Sequence, residues 1–224
     1  SDLELGLIDA VVTANIADAN GGGISATNCD VDISGTTISS NTAASFGGGV
    51  YLSDTRGDIE NSVIDSNTAF EGGGVFAYDT NTDFTNNTIS SNLATTELED
   101  DWGPGGGGGG MWLYTDATIE GNTVSGNTSQ YNGGGIYCYY GSPDMLSNTV
   151  QSNISWEDGA GVFLNRPSST LFQGNTVDAN EAYDDGGGLR IYYGSNTQEL
   201  NNTFSNNIAN DDGRGAKFSH PDHC

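Results

Sequence analysis

Basic residues are nearly missing from this chain: five Lys and Arg in 224 residues, against 30 Asp and Glu. The formal net charge is −25. This excludes nucleic acid and anionic membranes as expected partners, because their phosphates would be repelled. A polyuronate substrate is disfavoured for the same reason. Hydrophobic residues make up 34%, less than an ordinary compact globule carries. No apolar run approaches the length of a membrane helix, which speaks against membrane insertion. No charged-then-apolar signal segment opens the chain, which fits a mature form or a protein that is not secreted. Helical periodicity is absent. The cysteines are Cys29, Cys138 and Cys224, an odd number that leaves one thiol free or pairing between chains.

What is present repeats. An apolar residue, two spacers and Asn are followed by a short polar loop, a glycine cluster and an alternating apolar strand. The Asn positions are Asn15, Asn41, Asn67, Asn92, Asn127, Asn153, Asn180 and Asn207. The glycine sites open at Gly21, Gly47, Gly72, Gly108, Gly133, Gly159, Gly186 and Gly213. Steps are 25 to 27 residues except one of 35 between Asn92 and Asn127, where a loop of about 93–107 is inserted. A fixed period in this range marks a repeat architecture. A second apolar position (Leu7, Ile33, Ile59, Phe84, Ile119, Met145, Phe172) lies five residues before the apolar member of the Asn signature. Five is odd, so a corner must separate the two if both point inward.

Two or three short strands per period, joined by corners, make one coil of a parallel β-solenoid, with coils about 4.8 Å apart. The expected fold is therefore all-β, a single-stranded parallel β-helix. It has about eight coils of roughly 26 residues in one domain, 1–224, with the inserted loop and a tail at 219–224. Asn at a corner tolerates left-handed geometry, and stacked copies pass amide hydrogen bonds from coil to coil. A weaker column is Asn87, Asn122, Asn148, Asn175 and Asn202. Gly105 to Gly110 look like a phosphate cradle, but no P-loop lysine follows, so they read as architectural.

The elements Gly48-Gly-Val50, Gly73-Gly-Val75 and Gly134-Gly-Ile136 alternate with Ile64-Asp-Ser-Asn67 and Phe204-Ser-Asn-Asn207. This pattern resembles the right-handed parallel β-helix repeats of the pectate-lyase-like superfamily. It is similar also to the repeats of chlamydial polymorphic outer-membrane proteins. The resemblance implies a right-handed coil and covers nearly the whole chain. It says little about function, since enzymes, adhesins and surface-layer proteins share such coils.

Alternation after the glycines sends Tyr51, Phe76, Trp112, Tyr137 and Phe163 outward in one column. Tyr78, Tyr114, Tyr139 and Tyr192 form a second beside it. Such a ridge is expected to serve self-association or stacking against sugar, unless an inserted loop or neighbouring chain covers it. Acids gather between Asn and glycine: Glu71, Glu157, Asp158, Asp184, Asp185, Asp211 and Asp212, with Glu97, Glu99, Asp100 and Asp101 in the inserted loop. They read as a solvated edge, as a pair for glycoside hydrolysis, or as ligands for calcium, the one candidate cofactor. The metal candidates are Glu157, Asp158, Asp184, Asp185, Asp211 and Asp212. His220 and His223 stand in a terminal tail without a second ligand group at zinc spacing. Arg56, Arg166, Arg190, Arg214 and Lys217 form no evident catalytic cluster. Sequons occur at Asn86, Asn127, Asn153 and Asn201, of which Asn127 and Asn153 belong to the Asn column.

Residues 1–20 hold the Asn half of a coil, and residues 213–224 hold a glycine strand. Either the chain is a fragment of a longer solenoid, or copies stack head to tail and complete each other's coil. In such a stack Cys29 and Cys224 would meet as an interchain disulfide. The expected function is a non-catalytic structural or adhesive β-helix, extracellular or at the cell surface, with itself and polysaccharide as partners. The alternatives are a carbohydrate-active enzyme, either glycoside hydrolase or polysaccharide lyase, with its site near the insertion, and a glycan-binding passenger or spike fragment.

Overall fold

The structure is a computed structural model that describes residues 4–95 and 106–219. Every element in it is a strand. Each coil holds four strands, not the two or three anticipated. The second coil shows the plan: Asp30–Ser34, Thr37–Ser39, Thr42–Ala43 and Val50–Ser53. Eight coils run from Glu4–Ile8 to Ala216–Ser219, each strand parallel to its neighbours above and below. In the third coil one long strand, Val75–Thr85, continues round the fourth corner and serves two sheets. Leu93 and Ala94 pair with Thr128 and Ser129, so they belong to the ladder and not to the insertion. Thr95 bonds the Ala69 carbonyl and Gly107 bridges Asn132, so both ends of the expected 93–107 loop belong to the coils. Residues 96–105 lie outside the described residues, as do 1–3 and 220–224.

Corners follow from backbone geometry. Ile33 and Ile38 both point inward because Gly35 between them is left-handed, at φ 59°. Ile38, Ile64, Ile89, Val124, Val150 and Val177 then stack in register as one file of the core. Burying each such side chain contributes about 1.5–3 kcal/mol. The glycines work by close approach as well as by turning. A Cβ on Gly48 would lie 2.4 Å from the Gly73 carbonyl oxygen and 2.5 Å from that of Thr68.

The Asn residues do stack in one file and pass amide hydrogen bonds from coil to coil, but the Asn is not itself the left-handed residue. The left-handed residue is the one just before each Asn: Ser40, Ser66, Ser91 and Ser152, at φ 55–56°. Relieved of the turn, the amide points into the stack. Asn67 Oδ1 accepts from the backbone N–H and Nδ2 of Asn41, at 2.9 and 3.0 Å. Asn67 Nδ2 donates to the Ile38 carbonyl and to Asn92 Oδ1, both at 3.0 Å. The unit repeats from Asn15 to Asn207. The second column makes the same bonds from Asn87 to Asn202. Ser62 and Thr36 extend it toward the first coil, a hydroxyl replacing the amide oxygen.

Candidate functional site

From the second coil on, the fourth strand carries an aromatic residue. Alternation predicted one buried and one bare face there. Instead both are covered. Phe76, Trp112, Tyr137 and Phe163 are buried and form a second apolar cluster outside the main core, flanked by half-buried Tyr51. The reason is the glycine turn, which doubles the residue before it back over the strand. Phe46, just before Gly47, thus stacks on Phe76 at 4.6 Å between ring centroids. Rings also pack along the column, Phe76 on Trp112 at 4.2 Å and Tyr51 on Phe76 at 5.6 Å. The first half of the expected ridge is therefore packing and not an open platform. The second half remains accessible: Tyr78 is exposed and stacks on Tyr114 at 5.2 Å, while Tyr139 and Tyr192 are half-buried.

Further along, the same column turns cationic. Phe163 pairs in register with Arg190, and Arg190 with Lys217. The residues before the glycines turn acidic in step: Asp158, Asp185 and Asp212. Arg190 Nε lies 3.5 Å from Asp158 and its Nη2 3.6 Å from Asp185. Lys217 Nζ lies 2.6 Å from Asp185 and 3.1 Å from Asp212. The carboxylates of Asp158, Asp184 and Asp185 do converge within 4.8 Å, as the calcium expectation required. Two of the three, however, already face a guanidinium or an ammonium, which lowers their value to a cation. Glu157, Asp211 and Asp212 lie outside this convergence. A ladder joins the pre-glycine residues too: the backbone N–H of Asp185 donates to Asp158 Oδ1 and that of Asp212 to Asp185 Oδ1, both at 3.0 Å. Composition hid this network, and only the register of Phe163 with Arg190 and Lys217 reveals it.

Glu71 takes the pre-glycine place in the third coil. Burial pushes its carboxyl up to about 7, against a single opposing hydrogen bond from the Gly106 N–H. Burial also raises the Tyr137 phenol, and Glu71 adds to that rise. Trp112 Nε1 in the same cluster has no hydrogen-bond partner among the described residues. Asp158, the next carboxylate in that column, is three coils further on, about 14 Å along the stack. Glu97, Glu99, Asp100 and Asp101 lie outside the described residues.

Cys29 is buried beside a shallow cleft of about 140 Å³ lined by Asn28, Asp30, Asp54 and Arg56. Cys224, its expected disulfide partner, lies outside the described residues, as do His220 and His223. Cys138 is fully buried and its thiol donates to the Gly141 carbonyl. Asn127 and Asn153 are consumed by the amide file, so a glycan on either is incompatible with the fold. Asn86 and Asn201 are exposed at left-handed corners.

Comparison with known proteins adds the family. Neither curated proteins nor solved structures give a match. The right-handed β-helix region matches residues 9–220, the span over which coils, glycine turns and amide files recur. The chain belongs to the right-handed β-helix family.

Proposed function

We propose that this chain is a non-catalytic structural or adhesive scaffold, extracellular or on the cell surface, that stacks head to tail with copies of itself. The match between its first and eighth coils supports the reading. Ile8 and Leu200 occupy the same outward column, as do Ile16 and Ile208. The intervening rungs are mixed, from Ser34, Glu60, Thr85 and Glu120 to Leu146 in the Ile8 column and with Leu93 and Ile154 in the Ile16 column. Those inner aliphatics are half-buried, whereas the four at the ends are exposed. Stacked copies would lay Leu200 on Ile8 and Ile208 on Ile16. The amide file has one direction, each Asn donating to the next toward the C-terminal coil. Asn207 of one copy would find its acceptor in Asn15 Oδ1 of the next. The extreme acidity suits a saline exterior, where ions screen self-repulsion. One residue opposes tight stacking: Arg214 stands where other coils carry Gly48, Gly73, Gly134 or Ala160.

Light scattering and electron microscopy of the 224-residue chain test this. Rods should lengthen with concentration. Ile16→Lys with Ile208→Lys puts like charges in one column and should leave single coiled units. Arg214→Gly should lengthen the rods. Particles of single-chain mass at about 100 μM, a hundredfold above a micromolar Kd, would refute self-stacking.

Glu71 favours a second reading, a carbohydrate-active enzyme. A carboxyl that titrates near neutrality among aromatic rings suits a general acid. A glycosidase requires a second carboxyl about 5–10 Å away. Among the described residues Asp158 is too distant for that role. Hydrolysis of a polysaccharide that is lost in Glu71→Gln would establish this reading over the first.

A further inference from the structure

One file of the core ends on a residue of the wrong type. The inward position of the first strand runs from Leu7 through Ile33, Ile59 and Phe84 to Met145 and Phe172, every rung apolar. The rungs from Ile33 to Phe172 are buried. Glu199 pairs in register with Phe172 and takes the eighth rung.

Its surroundings offer a carboxylate nothing. Phe204, Ala216 and Phe218 hold the inward columns of its own coil, and the core side chains of the coil before are equally apolar. The Nδ2 groups of Asn202 and Asn207 go to the carbonyls of Phe172 and Val177. Arg190 and Lys217 pair with aspartates on the outer face, while Arg214, Asp211 and Asp212 are exposed. Glu199 Oε1 is buried and has no hydrogen-bond partner among the described residues. Burial alone raises its carboxyl above the ordinary value. The residue as a whole is only half-buried, so water still reaches its other edge.

The first coil fits over this end. Val12 shares a column with Phe204, Ile24 with Ala216 and Ala26 with Phe218. Each pair is apolar, and two of them set a large side chain against a small one. Leu7 shares its column with Glu199, the one inward column in which stacked copies would bring a charged group against an apolar one. In the docking copy Glu4 and Asp9 are exposed and offer no inward charge to balance it.

We propose that Glu199 gates the head-to-tail contact, a second copy seating Leu7 over it with the carboxyl protonated. The inference rests on the self-stacking reading and adds its control. Leu7 would displace the remaining water and supply no hydrogen bond. Enclosing the ionised form in this way is far costlier than enclosing the acid. Docking therefore takes up one proton. Below the pKa that Glu199 has in the single chain, the contact is at full strength. Above it the Kd rises by about tenfold per pH unit, until the docked carboxyl itself ionises.

Sedimentation equilibrium of the 224-residue chain tests the gate, between about pH 4.5 and about pH 8 at constant physiological salt. Parent rods should shorten as pH rises. Glu199→Gln keeps the shape without the charge and should stack at about pH 7 at least tenfold more tightly than the parent. Glu199→Leu completes the apolar file and should behave likewise. Glu120→Gln removes one charge from the exposed flank and should track the parent, which separates the gate from the general repulsion of an acidic chain. If the parent and both Glu199 variants stack with the same pH dependence, the gate is wrong and self-stacking stands. If all three remain single chains at every pH, self-stacking fails and the gate falls with it.

Discussion

Glu71 is a carboxyl that burial holds well above its ordinary range. Unfolded, it titrates near 4.5; folded, at about 7, because burial disfavours the carboxylate. Between those values the folded chain keeps a proton that the unfolded chain gives up. The contribution of this residue to stability therefore falls as pH rises from about 4.5 to about 7. Glu71→Gln removes the titration and keeps an acceptor for the Gly106 N–H. Its melting point should differ little from the parent at pH 4 and exceed it at pH 8, by up to about 3 kcal/mol in stability. Parallel melting curves for the two proteins across that range would rule this out. Nothing in the sequence marks Glu71 among 30 acids, because its neighbours Phe46 and Gly106 come from other coils.

The amide files and the glycine turns are the elements that make one coil fit the next. Asn127 Oδ1 accepts two bonds from Asn92, and Asn127 Nδ2 donates to Asn153 and to the Ile89 carbonyl. Asn127→Ala strands two buried donors, at roughly 1–3 kcal/mol each, and should destabilise by about 2–5 kcal/mol. Asn15→Ala, at the exposed start of the file, should cost about 1 kcal/mol or less. Equal urea midpoints for the two variants would mean that the file is decorative. The period, the Asn file and the inward apolar residues were all legible, since like residues stacking on like is a one-dimensional code. Three features were not. The left-handed residue at the second corner is often Ser, as at Ser40 and Ser66, a type that announces no turn. The burial of Phe76 and Trp112 comes from the chain folding over the outer face, which alternation along a single strand cannot express. The left-handed residues Tyr140, Arg166 and Tyr193, one per coil at the fourth corner, do keep the period, but they replace the Asn28, Asp54 and Asp79 of earlier coils, so a search for repeated residues passes over them.

At the scale of the whole molecule, each coil touches only its neighbours, and cohesion is a chain of near-equal interfaces. The hydrogen bonds between coils run along the stack, while the strands run around it. A tether pulling the two ends apart thus loads one coil's bonds at a time, never the whole set in shear. Single-molecule stretching should show a sawtooth of low, similar peaks, each lengthening the molecule by about 90 Å, the contour of one repeat. One tall rupture would contradict this. The protein would then yield like thread drawn from a spool, absorbing work turn by turn and keeping the remaining turns intact.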